Sequence, residues 1–360
     1  MKSHAEYCEH NRFLELDGYR GLEVFLVIGH HMKRSVVEWA NPYGAMTVFF
    51  VVSGFIITTL ALREERKRGE ISMKAFYVRR ALRILPPYFT VLAAYCLLIF
   101  GLGIGAEKAE HLKKLLPAYV LYYQELPFFL PESFGIEYAK NVPFYQSWSL
   151  GIEEKFYLVW PVIGFVLLKR GGLSRAFAAL AIGCVCAAAP SMGRLGECVF
   201  PYWNILAGCA MAVFMDDART FGKLAVLARP VTGTCVLVAV IALHLLGAHV
   251  YEMRYLHPAI VSLALPVLLL GEGPLQRLLR TRPASVLGAL SYGIYLVHLL
   301  CINVADKVFP PTSESWPAAI AAFALASAVT VFVAWLLHRT VERPCLEFAR
   351  VWSKRIASRG

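Results

Sequence analysis

Ten stretches of this chain are each apolar enough, and close enough to the required length, to cross a lipid bilayer. They lie near residues 14–32, 44–62, 85–106, 145–168, 174–192, 199–215, 232–248, 256–271, 285–306 and 316–338. A spanning helix needs about 20 mainly apolar residues, so this repetition predicts an all-α, polytopic integral membrane protein. The balance of 58% hydrophobic against 17% charged residues agrees, because a water-soluble domain of 360 residues carries more charge. An eleventh apolar stretch, 115–130, holds Glu125, two prolines and several tyrosines, and reads as interfacial.

Lysine and arginine collect in cytoplasmic loops when topology is set at insertion. With both termini inside, the cytoplasmic segments carry 25 of the 36 Lys+Arg and the outer ones 9, Arg20 and Lys155 lying within helices. Ten crossings and two cytoplasmic termini are thus self-consistent. The net charge of +11 is a topology signal, and nucleic-acid binding is a poor explanation for it. Ten crossings occupy nearly the whole chain, so residues 1–345 are expected to form one transmembrane domain and 346–360 a basic cytoplasmic tail. No cleavable signal is expected before the first helix. The nine cysteines fall mostly in apolar runs without metal-ligand spacing and read as small hydrophobes, so no metal site is expected.

The first run, LDGYRGLEVFLVIGHHMKR (16–34), places acids, an arginine and two histidines where lipid-compatible residues are expected. Ionisable groups inside a span are costly, so they face a bundle interior or a wet cavity and tend to carry function. Arg20 and His31 are eleven residues apart, three turns plus about 20°, and so share a face roughly 16 Å apart along the axis. His30 points away from that line. Asp17 and Glu23 stand three residues to either side of Arg20, close enough to pair with it. The competing structural reading is an ion-pair cluster holding helices together, with His31 hydrogen-bonded at the outer interface.

Other segments add polar chemistry in the same manner. In FFVVSGFIIT, Ser53 and Gly54 interrupt an apolar run, which alone is ordinary small-residue helix packing. In the basic segment 63–89, Arg80 and Arg83 stand one turn apart before Pro86 and Pro87, a spacing that can grip phosphate oxygens, although loop cations also anchor to anionic headgroups. The segment VPFYQSWSLGIEEKFYLVWP brings Trp148, Ser149, Glu153, Glu154, Lys155 and Tyr157 onto one span. Adjacent carboxylates there are difficult to explain by packing.

Together these pieces resemble the membrane-bound acyltransferase 3 family. The matching motifs are LDGYRG with Arg20 and His31, FFVVSGFIIT, RRALRILPPYF, SWSLGIEEKFYLVWP, LGALSYGIYLVHLL (287–300) and VERP (341–344), in the family's order over essentially the entire chain. Glu23 and His30 stand where relatives carry apolar or aromatic residues, and Lys155 where glutamine is commoner. The resemblance implies about ten helices, an essential His31, a functional Arg20 and an Arg80/Arg83 pair near an acyl-CoA. It also implies acylation of a hydroxyl on a cell-envelope or secreted carbohydrate, or on a lipid-linked glycan, in a bacterial cytoplasmic membrane. The chain resembles the stand-alone type, without an extra hydrolase-like domain.

On that reading, acyl-CoA phosphates lie at the inner face on Arg80, Arg83 and Arg20, and the pantetheine arm points outward to His31. Neutral imidazole, of unperturbed pKa about 6.5, suits a general base for the attacking hydroxyl. Glu153 is expected to hold its tautomer, with Asp17, Ser53, Trp148, Ser149, Glu154 and Tyr157 in support. An acyl-histidine intermediate is the two-step alternative. Tyr292, Tyr295 and His298 share a helix face and read as structural, and Glu342 as ending the last helix at Pro344 and pairing with arginines. A proton-coupled transporter would also need buried ionisable groups, but no repeated half is visible.

Overall fold

The computed structural model describes residues 2–10, 12–32, 42–137, 142–246, 251–310 and 315–357. The loop cations Lys33, Arg34 and Lys140, the end of the run expected at 248, and Arg359 lie outside them. Helix α1 (His4–Glu9) precedes α2 (Leu14–His31), α3 (Pro42–Arg68), α4 (Met73–Cys96), α5 (Ala109–Val120) and α6 (Glu125–Phe129). Then come α7 (Trp148–Pro161), α8 (Ser174–Ala188), α9 (Arg194–Val199), α10 (Pro201–Asp216), α11 (Ala218–Leu224) and α12 (Pro230–Leu246). The chain closes with α13 (His257–Leu270), α14 (Pro274–Leu279), α15 (Arg282–Val308), α16 (Trp316–Leu337) and α17 (Arg343–Ala357). No strand occurs among the described residues.

Each of the ten apolar runs is helical over most of its described length. By length and composition, however, six helices can cross a membrane, or seven if Ala218–Ala228 and Pro230–Leu245, bent by 81°, form one span. Ten crossings are therefore not reached on this criterion. The shortfall has physical causes. Helix α13 has only 14 residues, while α2 and α7 carry the ionisable residues singled out above. In the 115–130 stretch, α5 and α6 have 12 and 5 residues, each too short to span.

Two close helix crossings set the frame for the site. A Cβ on Gly288 of α15 would overlap the Asp17 carbonyl of α2, and one on Gly54 of α3 would overlap the Ile205 carbonyl of α10. Only glycine lets those backbones touch, which bears out the packing role of Gly54.

The last helix does not end at Pro344. A π-helical turn, His338–Glu342, joins α16 to α17, and Pro344 falls in the first turn of α17. The widened turn leaves the ring room and displaces the regular hydrogen bond that proline would break. Glu342 is buried and accepts a hydrogen bond from Nδ1 of His338 at 2.8 Å, rather than pairing with arginines. Helix α17 then packs against α4.

Candidate active site

A cavity of about 670 Å³ opens between α2, α3, α4, α7, α15 and the α16–α17 turn. Of the residues expected to act, it is lined by Asp17, Arg20, Ser53, Arg80, Arg83, Ser149, Glu153 and Tyr157. Those side chains come from four helices, so the grouping is a product of packing and not of local sequence.

Helix α2 turns Arg20 toward the cavity, its guanidinium 5.6 Å from the Phe49 ring centroid. Arg80 lies 5.4 Å from the Tyr157 ring and 5.9 Å from that of Phe76. The Tyr157 hydroxyl in turn shares a 2.5 Å hydrogen bond with Ser53. Asp17 and Glu23 do not pair with Arg20. Asp17 accepts from Arg12 at 3.1 Å, and Glu23 faces the other way, 3.8 Å from His244 of α12. No hydrogen bond or ion pair to Arg20, Arg80 or Arg83 exists among the described residues. Guanidiniums that face a void without a hydrogen-bonded acceptor can take an anion that supplies one.

At the opposite end the wall is formed by Ser149 and Tyr295. The Tyr295 hydroxyl donates to the Gln146 carbonyl, and it shares a 2.8 Å bond with Ser149. Behind Tyr295 lies His298, fully buried, its ring 5.7 Å away. His31 comes next, 4.8 Å from the His298 ring and 6.0 Å from Tyr145. His31 is half-buried and does not line the cavity; it stands one layer beyond the Tyr295–Ser149 wall.

Nδ1 of His31 lies 2.8 Å from the Val27 carbonyl. A carbonyl only accepts, so Nδ1 carries the proton and Nε2 offers its lone pair. The tautomer is thus held by the backbone one turn back. Glu153, expected to hold it, lines the cavity with Arg20 instead and forms no hydrogen bond with His31. Glu154 and Trp148 also lie off the cavity, Trp148 stacked on Phe128 at 4.8 Å. Lys155 pairs with Glu125 at 2.6 Å.

A family model described as "Acyltransferase domain", Acyl_transf_3, matches residues 13–339. The chain belongs to the acyltransferase 3 family. Peptidoglycan O-acetyltransferase OatA of Listeria monocytogenes serovar 1/2a is 26% identical over 351 residues, covering 91% of this chain and 55% of that protein. Putative peptidoglycan O-acetyltransferase YrhL of Bacillus subtilis strain 168 is also 26% identical, over 93% of this chain and 55% of that one. Putative O-acetyltransferase SACOL0978 of Staphylococcus aureus strain COL is 29% identical over 171 residues, 46% of this chain and 27% of its own length. The chain thus spans about half the length of the first two relatives. No solved structure matches it.

Within this acyltransferase 3 fold, Tyr295 and His298, which by sequence alone read as structural, stand between the cavity and His31. Their three-residue spacing on α15 was visible, but nothing local tells that α15 lies against the His31 end of α2. Nε2 of His298 is buried without a hydrogen-bond partner among the described residues. The His298 ring lies edge-on to that of His31, with centroids 4.8 Å apart.

Proposed function

We propose that the chain transfers an acetyl group from acetyl-CoA to a hydroxyl of a cell-envelope carbohydrate, at a bacterial cytoplasmic membrane. The observation that carries this reading is the cavity in which Arg20, Arg80 and Arg83 converge without a hydrogen-bonded or ion-paired acceptor among the described residues. The family and the names of the relatives supply the chemistry; peptidoglycan is the acceptor named for two of them.

In this reading all ten apolar helices cross, and both termini are cytoplasmic. Helices α2 and α7 tolerate their charges because Arg20 and Glu153 are turned into the cavity. The arginine end then faces the cytoplasm, where acyl-CoA is made, and the His31 end faces out. The phosphates sit on Arg20, Arg80 and Arg83, with Glu153 limiting the accumulated positive charge. Asp17, Ser53 and Tyr157 shape this end, Glu154 supports it from behind, and Trp148 supports the Ser149 end, stacked on Phe128.

The pantetheine arm runs toward Ser149 and Tyr295. For the thioester to meet His31, the Tyr295 ring swings aside, breaking its bonds to Gln146 and Ser149. Nε2 of His31 takes the acceptor's hydroxyl proton as the oxygen attacks the thioester carbonyl. The tetrahedral intermediate collapses to the ester, and the departing CoA thiolate recovers the proton from the imidazolium. A transporter has no observation in its favour beyond the buried charges that both readings explain.

The test is transfer of radiolabelled acetyl from acetyl-CoA to envelope glycan by isolated membranes. His31→Ala is expected to lower transfer by about 10²–10⁴-fold, the usual contribution of a positioned general base. An intact, inserted variant that transfers like wild type removes His31 from the mechanism. Uptake of a small molecule without acyl transfer would establish the transporter instead.

A further inference from the structure

The cavity's lining carries five guanidiniums (Arg12, Arg20, Arg80, Arg83 and Arg350) against three carboxylates (Asp17, Glu153 and Glu342). Two of those carboxylates are already engaged, Asp17 by Arg12 and Glu342 by His338. Arg350 makes no side-chain hydrogen bond or ion pair among the described residues, although exposed arginines elsewhere do, such as Arg194 with Glu132 and Arg343 with Glu347. Its position is not incidental. His338, Glu342, Leu346 and Arg350 follow one another at four-residue steps, and all four line the cavity, so one stripe of the π turn and α17 faces it throughout. The other side of α17 exposes Phe348, Val351 and Trp352. Helix α17 packs on α4, and that stripe lines the same cavity as Arg80 and Arg83 of α4. Like charges gathered around one void repel unless an anion lies between them.

We propose that Arg350 binds a phosphate monoester at the open end of this cavity, namely the 3′-phosphate on the ribose of coenzyme A. The inference rests on the acyl-CoA reading above and deepens it. Arg20, Arg80 and Arg83 take the diphosphate deeper in, while the 3′-phosphate, on the ribose and not on the arm, stays near the rim where Arg350 stands. Residue 350 lies beyond the 13–339 family match, so this contact belongs to the helix that follows the matched region. Arg350 is exposed, which makes its replacement compatible with folding. A phospholipid headgroup offers the same phosphate chemistry, and the experiment separates the two.

The test measures, by calorimetry, the binding of coenzyme A and of 3′-dephospho-coenzyme A to the full chain in phosphatidylcholine nanodiscs. The wild type is expected to prefer coenzyme A by about tenfold, as a charge-assisted contact at a solvated rim gives. Arg350→Ala is expected to bind both molecules alike, at the wild type's affinity for the dephospho form. Arg343→Ala, on the same helix but off the cavity, keeps the preference. If Arg350→Ala retains the tenfold gap, the assignment is overturned while the donor reading stands. An effect seen only when anionic lipid is added to the discs assigns Arg350 to headgroups, which also overturns it. A wild type that binds neither molecule refutes the donor reading itself.

Discussion

Arg175 and Arg80 are both arginines on long helices, and their surroundings are opposite. Arg175, at the start of α8, grips Glu65 of α3 through two bonds of 2.7 and 2.8 Å and gives its Nε to the Leu168 carbonyl. It is 2% exposed, and its ring contact with Phe165 completes the enclosure. Arg80 has two aromatic neighbours, no acceptor among the described residues, and a cavity in front of it. The same division runs through α2. Glu15 is held by Lys2 and Arg280, each at 2.8 Å, whereas Arg20 faces the void. Ionisable residues in this molecule therefore form two populations. Those closed by a partner fasten helices; those left open are, in the proposed function, the ones that meet the donor.

The strongest way to break that division is to remove a closed residue. Arg175→Ala strands the Glu65 carboxylate between α3 and α8, and loss of one member of a buried pair costs about 3–5 kcal/mol. Thermal unfolding in detergent should fall well below wild type, while the surviving folded protein keeps its KM for acetyl-CoA. A variant that stays stable but loses donor affinity would make Arg175 part of the site, and the two populations would merge.

Arg80→Ala should do the reverse, with a smaller energy. Removing a charge-assisted hydrogen bond of about 1.5–3 kcal/mol raises the donor KM by about ten- to a hundredfold. Because no protein group loses an ion partner, the unfolding temperature should move little. If Arg80→Ala unfolds like Arg175→Ala at unchanged KM, its openness is an accident of packing.

How much of this division was legible in the sequence depended on distance along the chain. The ten apolar runs predicted ten helices because hydrophobicity is a local property, and each is helical over most of its described length. The Arg80/Arg83 spacing was legible for the same reason, and both residues line the cavity. The partner of Glu23 was not. His244 lies on α12, far along the chain, and the three-residue rule could offer only Arg20. The continuation through Pro344 was hidden too, since proline normally stops a helix and only the π turn before it removes the conflict. His31 shows the limit most clearly. Its helical face was read from the 100° step, but the Tyr295 and His298 rings between it and the cavity come from α15, and nothing in α2 announces them.

Those intervening rings give the finest test. The Tyr295 hydroxyl donates to the Gln146 carbonyl, so its oxygen is free to accept from Ser149, and the two bonds pin the ring across the end of the cavity. Tyr295→Phe keeps the ring and removes both bonds. Each net hydrogen bond contributes about 1 kcal/mol, so losing both should weaken the pinned orientation by about thirtyfold. If the ring is a movable partition between thioester and imidazole, it then turns aside more readily. Hydrolysis of acetyl-CoA in the absence of an acceptor should rise by that factor, with the donor KM within twofold of wild type, because the phosphate end is untouched. Hydrolysis unchanged alongside a raised KM would place Tyr295 among the groups that hold the donor, and the path from cavity to His31 would have to lie elsewhere.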